Sequence, residues 1–299
     1  MGALGSASVL YGFFAVSTSD LMKRTIFGLQ SWQLMISGGY ALFFCANLIP
    51  GRLDTVLGRP KRTDLRFFTP AGFAFAIWAP IFLGEMLMMF SVLMPDSLRS
   101  PGSGWLEAMA PSYAAASVAQ ALWCLAFRPW ALKYQWIPAS LLTIAALALF
   151  ESHRHVASSY SMSGAASLWS LFACRIPVAL HFGWITAAAA LSWNGQLASM
   201  GSSIPIRITS ATLSCYAAAA FLGVTSIVRG DGWPAATAAW ALYAVSKGHE
   251  VLRGAVDNAA IDALNLAALL SSSASLAMAV FTWAIPFFSS GKTCACACV

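Results

Sequence analysis

The chain has 299 residues, of which 9% are charged and 59% are hydrophobic, and its formal net charge is +6. Ordinary soluble domains carry about a quarter charged residues, so this composition excludes a soluble protein. The excess of Lys and Arg does not indicate a nucleic-acid partner, because these residues are distributed between apolar runs and form no single basic patch.

Three long runs carry no formal charge: 27 residues between Arg24 and Arg52, 31 between Arg175 and Arg207, and 29 between Asp262 and Lys292. A helix needs roughly 20 apolar residues to cross a bilayer. The runs are continuous and lack the alternation of barrel strands, so we predict an all-α integral membrane fold with about eight transmembrane helices. The helices are expected at residues 31–48, 68–94, 111–127, 134–150, 168–193, 209–228, 233–246 and 261–287.

The segment 4–16 is also apolar but is too short to span comfortably, which leaves a signal-like or interfacial segment open. The loops after helices one, three, five and seven contain ten Lys and Arg residues, and the termini and the other loops contain six. The positive-inside rule therefore predicts that the odd-numbered loops face the cytosol, stroma or matrix.

The cysteines do not indicate a disulfide framework. Four of them lie singly in separate predicted helices and are interpreted as small core residues: Cys45, Cys124, Cys174 and Cys215. Three more form an alternating tail, Cys294, Cys296 and Cys298. The tail fits a prenylation motif poorly, because Cys298 and Val299 are unusual at their positions, so we favour a frayed terminus over lipidation.

Helix two places three aromatic residues and one carboxylate on one face: Phe75, Trp78, Phe82 and Glu85. Helix three has Gln120 and Trp123 at helical spacing, and helix five has His181 and Trp184. Ionisable residues inside a membrane are costly and tend to face a cavity or pair with one another. The same stripes also fit ordinary core packing, with the polar groups joining helices. The eight residues are the candidate ligand-binding set, and Pro80 and Pro177 can kink their helices and open a cavity between them.

No Walker loop, His-Glu-x-x-His, G-x-S-x-G or paired CxxC motif is present, so neither an enzyme nor a metal site is expected. Two other hypotheses remain open. One is a proton-coupled secondary transporter in which Glu85 and His181 exchange protons, and the other is a structural subunit of a larger membrane complex.

The segment Phe68-Thr69-Pro70 to Ile81-Phe82, with Phe75 and Trp78 inside it, resembles the second-helix signature of the tryptophan-rich sensory protein family, which includes the mitochondrial translocator protein. Gln120-Ala-Leu-Trp123 is similar to the family's third-helix motif, and residues 175–187 resemble its fifth-helix segment. The chain departs from short members at Phe73, where they carry Trp, and at Ser192, where Asn is expected.

The resemblance covers residues 31–194 and implies a five-helix ligand-binding core. Around it we expect an N-terminal segment (1–30), an additional three-helix membrane segment (195–287) and a cysteine-rich tail (288–299). It further implies a tetrapyrrole or sterol-like ligand, such as a porphyrin, and a sensory, regulatory or trafficking role. The expected partners are the lipid bilayer and a hydrophobic small molecule, and a homo-oligomer is left open. The sequence does not specify which membrane houses the protein, and an organellar one is compatible with it.

Overall fold

The computed structural model describes residues 24–26, 28–53, 65–94, 104–163 and 168–290. The apolar segment 4–16 and the cysteine tail discussed above lie outside the described residues. A short hairpin, β1 (Thr25–Ile26) paired with β2 (Leu29–Gln30), precedes the first helix. Eight long helices follow in the described part of the chain: α1 (Ser31–Leu48), α2 (Trp78–Leu93), α3 (Gly104–Ala126), α4 (Trp136–Ser163), α5 (Leu168–Ser199), α6 (Ile204–Arg229), α7 (Trp233–Gly248) and α8 (Asn258–Ser290).

Three 3₁₀ helices flank these elements. Gly72–Ile77 leads directly into α2, Pro129–Tyr134 precedes α4, and His249–Leu252 follows α7. A π-helical turn, Leu171–Arg175, interrupts the start of α5.

Five helical segments are long and apolar enough to cross a bilayer: Gly72–Leu93, Trp136–Ser158, Leu168–Ser199, Ile204–Arg229 and Asn258–Ile285. The remaining long helices pack on them, α1 and α3 beside α2 and α4, and α7 between α5, α6 and α8. Large apolar side chains such as Leu147, Leu213 and Leu266 stay exposed on the outside of the bundle, where acyl chains would cover them. The protein is therefore an all-α, multi-pass integral membrane protein, as the sequence predicts.

Two predicted helix boundaries were wrong. The third helix was expected to begin at Pro111 but begins at Gly104, because neighbouring helices can accommodate an internal proline in a membrane. The fourth was expected to end at Phe150 but continues to Ser163. The prediction ended the helix at Phe150 because charged residues interrupt the apolar run there. The helix continues because Glu151 pairs with Arg154 and His153 pairs with Asp231.

The first five helices close into a ring in the order α1, α2, α5, α4, α3 and back to α1. Helices α6, α7 and α8 pack against one another, and α6 and α7 also pack on α5. Glycines permit the two closest approaches around α5. A Cβ on Gly84 of α2 would lie 2.6 Å from Pro177 Cβ, and one on Gly183 would lie 2.7 Å from Thr237 Cβ of α7. Both distances are too short for any side chain, so α5 is in direct contact with its neighbours on both sides.

The helices alternate in direction, which defines two ends of the bundle. We call the end where α1, α3, α5 and α7 finish the mouth end, because a cavity described below opens there, and the opposite end the far end. At the mouth end the Leu53 N–H donates to Phe127 O (3.0 Å) and the Ala71 N–H donates to Ala244 O (2.8 Å). At the far end, Gln33 Nε2 donates to Val92 O (2.7 Å), which joins the start of α1 to the end of α2.

Candidate functional site

A cavity of about 470 Å³ lies inside the ring and opens towards the mouth end. Its walls come from α1, α3, α4, α5 and α7, from the first residue of α2 and from the segment that leads into it. Five of the eight predicted site residues line it: Phe75, Trp78, Gln120, Trp123 and Trp184. The other three, Phe82, Glu85 and His181, lie behind this lining. The sequence therefore identified one connected region, in which only part of the set faces the cavity.

Seven of the residues that line the cavity are aromatic, and two contacts among their rings are edge to face. The ring centroids of Trp78 and Trp184 are 6.4 Å apart with an interplanar angle of 83°. Phe75 meets Trp184 at 5.5 Å and 82°, while Phe82 stacks on the back of Trp78 at 5.1 Å. Aromatic pairs prefer such arrangements, so each ring fixes the orientation of the next.

Phe43 of α1 lies against this cluster and was not predicted. Its ring lies 5.8 Å from that of Trp78 and 5.6 Å from that of His181, and it lines the cavity. Helix α1 contains no Asp, Glu, Lys, Arg or His, so no charged residue drew attention to it. The signal in the sequence was the pair Phe43 and Asn47, which are four residues apart on one helix face and both line the cavity.

A buried polar chain crosses the bundle behind the cavity. His181 Nδ1 lies 2.6 Å from Glu85 Oε1, and His181 Nε2 lies 2.8 Å from Gln120 Oε1. The exposed fraction of each of these three side chains is 1% or less. Helices α2, α5 and α3 each contribute one of these side chains, so the hydrogen bonds between them tie three sides of the ring together.

The Gln120 Nε2 amide donates to Ala116 O at 3.2 Å, which leaves its Oε1 as the acceptor for His181 Nε2–H. His181 Nδ1 then shares one proton with Glu85, either as neutral imidazole and carboxylic acid or as imidazolium and carboxylate. Both forms have zero net charge, which is what a low-dielectric interior tolerates. Glu85 and His181 thus hold Gln120 in one orientation at the cavity wall.

Two further polar atoms lie beside this chain. Glu85 Oε2 and Tyr113 Oη are both buried, and neither makes a hydrogen bond of ordinary geometry within the part of the chain that the structure describes. Tyr113 nevertheless lies close enough to interact with the Glu85 carboxylate, so this part of the interior is more than apolar packing.

The mouth end of the cavity is polar. Arg52, Arg66, Asn47, Thr69 and Gln135 line it there, none of which was a predicted site residue. In the sequence, Arg52 and Arg66 contributed only to the predicted orientation in the membrane. Nothing in the sequence shows that residues 52 and 66 line the cavity.

Helices α6 and α7 and the turn after α7 position this connection. Arg207 Nη1 donates to Leu65 O at 3.4 Å, and His249 Nε2 donates to Phe67 O at 2.8 Å. Further along, Trp240 Nε1 donates to Ala74 O at 3.0 Å. Burial lowers the pKa of His249 below its usual value, so the neutral imidazole is favoured.

Helix α7 also forms part of the cavity wall through Ala241 and Val245. The predicted division at residue 194 stays a prediction, but the cavity draws residues from both sides of it. The sequence assigned no role to α6 and α7. In the structure α7 forms part of the cavity wall, and both helices hold the segment that leads into α2.

A second buried cluster lies at the far end and contains charged groups from α4, α5 and the α6–α7 turn. Asp231 Oδ2 accepts from His153 Nε2 (3.2 Å) and from Arg175 Nε (3.1 Å). The π-helical turn at the start of α5 contains Arg175, whose side chain is directed towards this buried carboxylate. Burial raises the pKa of Asp231, but the hydrogen bond from His153, the nearby charge of Arg175 and the backbone N–H of Trp233 more than offset this and lower it.

The tautomer of His153 follows from its two partners. Arg229 Nη1 lies 3.0 Å from His153 Nδ1, and a guanidinium can only donate, so Nδ1 accepts and Nε2–H donates to Asp231. This cluster joins four elements at the far end and is remote from the cavity, which suits a structural role.

Two other kinds of functional site have less support in the structure. An open groove of about 550 Å³ runs along the outer face of α6 past Pro205, Thr209 and Leu213, but its lining comes from this one helix. Among the described residues, no group of three or more His, Cys, Asp or Glu side chains is placed to hold a metal ion.

No curated protein and no solved structure matches the chain. A family model does match, that of the TSPO-like protein family, over residues 46–285. The match includes the region of the three sequence motifs and continues through α6, α7 and most of α8. The chain belongs to the TSPO-like protein family.

Proposed function

We propose that this protein binds a flat, largely apolar small molecule, tetrapyrrole or sterol-like, in the cavity inside the ring. In this role it is a membrane receptor or carrier with a sensory, regulatory or trafficking function. The observation that carries the proposal is the enclosed cavity walled by Trp78, Trp123 and Trp184, one tryptophan from each of three helices.

The size and chemistry of the cavity suit such a ligand. Pockets for small molecules are typically about 300–1,000 Å³, mostly apolar, with a few polar groups that fix orientation. The cavity of about 470 Å³ falls in this range. Flat ring systems gain affinity by stacking on and burying aromatic surface.

The predicted roles of Glu85 and His181 change in this proposal. Neither lines the cavity, so they act on the ligand through Gln120, whose amide they hold in place. Phe82 similarly supports Trp78 from behind. The direct ligand contacts are Phe43, Phe75, Trp78, Gln120, Trp123 and Trp184.

Titration of the purified protein with protoporphyrin, followed by tryptophan quenching, tests the proposal. We expect saturable quenching whose midpoint moves to at least about tenfold higher concentration in the Trp78→Ala, Trp123→Ala double variant, since stacking on each ring contributes roughly 1 kcal/mol. The midpoint is compared instead of the amplitude, because the variant also removes two fluorophores. Trp130→Ala is the matched control, since Trp130 is 59% exposed and lies outside the cavity. An unchanged midpoint in the double variant excludes this site.

Proton-coupled transport is the alternative from a different class. It requires Glu85 and His181 to exchange protons with water during each cycle, whereas both side chains are buried and bonded to each other. The geometry therefore favours binding. Proton-gradient-dependent uptake into liposomes that disappears in Glu85→Gln would favour transport instead.

A further inference from the structure

We propose that helix α7 sets the size limit for the ligand, because Ala241 and Val245 form a rigid wall of small side chains along one side of the cavity. This inference rests on the proposed function and adds a specificity determinant to it. The determinant lies outside residues 31–194, the five-helix core that the sequence resemblance implies.

The α7 wall consists of short side chains. Ala241 and Val245 are four residues apart, so they share one face of the helix, and both line the cavity. The exposed fraction of each is 2%. The aromatic rings among the described lining residues come from α1, α3, α5, the start of α2 and the segment that leads into it, and none comes from α7. The space beside α7 therefore exists because these two side chains are short.

Helix α7 is held between α5 and α8. A Cβ on Gly183 of α5 would lie only 2.7 Å from Thr237 Cβ, so the two helices are already in direct contact. On the other side, Ser272 Oγ of α8 donates to Ala239 O at 2.8 Å. The backbone of α7 is thus fixed one turn before the wall.

The segment that leads into α2 holds the same helix at the wall itself. The Ala71 N–H donates to Ala244 O at 2.8 Å, and Trp240 Nε1 donates to Ala74 O at 3.0 Å. The Phe73 ring meets the Trp240 ring edge to face, with centroids 5.3 Å apart. These contacts lie within one turn of both wall residues, so the wall cannot move outwards without breaking them.

A wall that cannot withdraw transmits any added volume to the ligand. Protein interiors are close-packed and yield little, so a bulkier side chain at position 241 must occupy space that the ligand would use. A single methylene group that a hydrophobic pocket fits or excludes changes selectivity by roughly 10–200-fold. The side-chain volumes at positions 241 and 245 therefore decide how large a ligand the cavity accepts.

Exchanging the two wall residues tests this with protoporphyrin and tryptophan quenching. Ala241→Val adds two carbons to the wall, and we expect the quenching midpoint to move to at least about tenfold higher concentration. The Ala241→Val, Val245→Ala double variant restores the total volume, so its midpoint should return to within about threefold of the wild-type value. Ala236→Val is the matched control and should change nothing, because Ala236 is a half-buried residue of α7 that does not line the cavity.

Val245→Ala alone provides a second test that adds no atoms and does not depend on the folding of Ala241→Val. Tetraphenylporphyrin is the bulkier probe, since its four phenyl rings stand out of the plane of the macrocycle. We expect the preference for protoporphyrin over tetraphenylporphyrin to fall at least about threefold in this variant relative to wild type. Each ligand is compared with itself in wild-type protein, so the carboxylates of protoporphyrin cancel from the result.

The outcomes separate the two proposals. An unchanged midpoint in Ala241→Val, a loss that the exchange of both residues does not restore, or an unchanged preference in Val245→Ala would each overturn the size limit at α7. The cavity site would still stand in these cases if the Trp78→Ala, Trp123→Ala variant loses protoporphyrin. If wild-type protein does not bind protoporphyrin, the proposed function fails and this inference fails with it.

Discussion

Replacing Glu85 tests whether the buried polar chain holds the ring together. Glu85→Ala removes the partner of His181 Nδ1 and leaves that nitrogen buried and unpaired, which costs about 1–3 kcal/mol. The lost Cγ methylene adds roughly 0.8 kcal/mol. Glu85→Gln keeps the side-chain volume and supplies an amide N–H that can donate to Nδ1, so we expect Ala to cost about 2–4 kcal/mol and Gln less than about 1.5 kcal/mol.

Thermal unfolding in detergent, followed by tryptophan fluorescence, measures the difference. With the roughly 2–4 °C per kcal/mol found for chains of about 150–250 residues, Glu85→Ala should lower the midpoint by roughly 4–16 °C and Glu85→Gln by no more than about half of that. Glu250→Ala is the control, because its carboxylate is exposed and exposed ion pairs contribute about 0–1 kcal/mol. Equal midpoints for the Ala and Gln variants would refute the reasoning, since only one of them leaves His181 unpaired.

Three further predictions follow from other parts of the fold. Asp231→Asn removes the negative charge between His153 and Arg175 and should destabilise the protein by about 3–5 kcal/mol, whereas Asp262→Asn at an exposed pair should cost less than about 1 kcal/mol in the same unfolding assay. Gly248→Val should weaken protoporphyrin binding and lower the midpoint, because its Cβ would collide with Thr69 O, while Gly104→Ala, which meets nothing nearby, should change neither. Since burial lowers the pKa of His249, its contribution to stability is fully present above about pH 6.5 and is lost as the pH falls below that value, where the unfolded chain takes up the proton first. The midpoint should therefore decrease from about pH 7.5 to about pH 5.5 more in wild-type protein than in His249→Gln, and equal decreases would contradict this assignment.

The sequence predicted the helices well because their cause is local. An apolar run of bilayer length must form a helix wherever its backbone groups cannot reach water, so the number and order of the long helices followed from composition alone. The ends were less predictable. Whether α4 stops at Glu151 depends on partners such as Arg154 and Asp231, and Asp231 lies far away in sequence.

The site was predictable in part for a similar reason. Trp78, Trp123 and Trp184 share helix faces with polar residues, and that periodicity is visible in the chain. Their convergence on one cavity depends on the order of helices around the ring, which no local pattern encodes. Phe43, Arg52 and Arg66 were not predicted, because they reach the cavity wall only once α1 and residues 65–70 pack against the other helices.

The role of the last three helices could not be read from sequence at all. Their small residues indicated close packing, and the structure shows what they pack against. Ala241 and Val245 complete the cavity wall, while Arg207 and His249 anchor the segment that carries Arg66. The chain thus uses a second layer of helices to hold residues 65–74 against the ring.

A structure of the protein with protoporphyrin bound tests the central claim most directly. We predict that the macrocycle lies inside the ring between Trp78, Trp123 and Trp184. A macrocycle found instead in the open groove along α6, or on the lipid-facing surface, would contradict the claim.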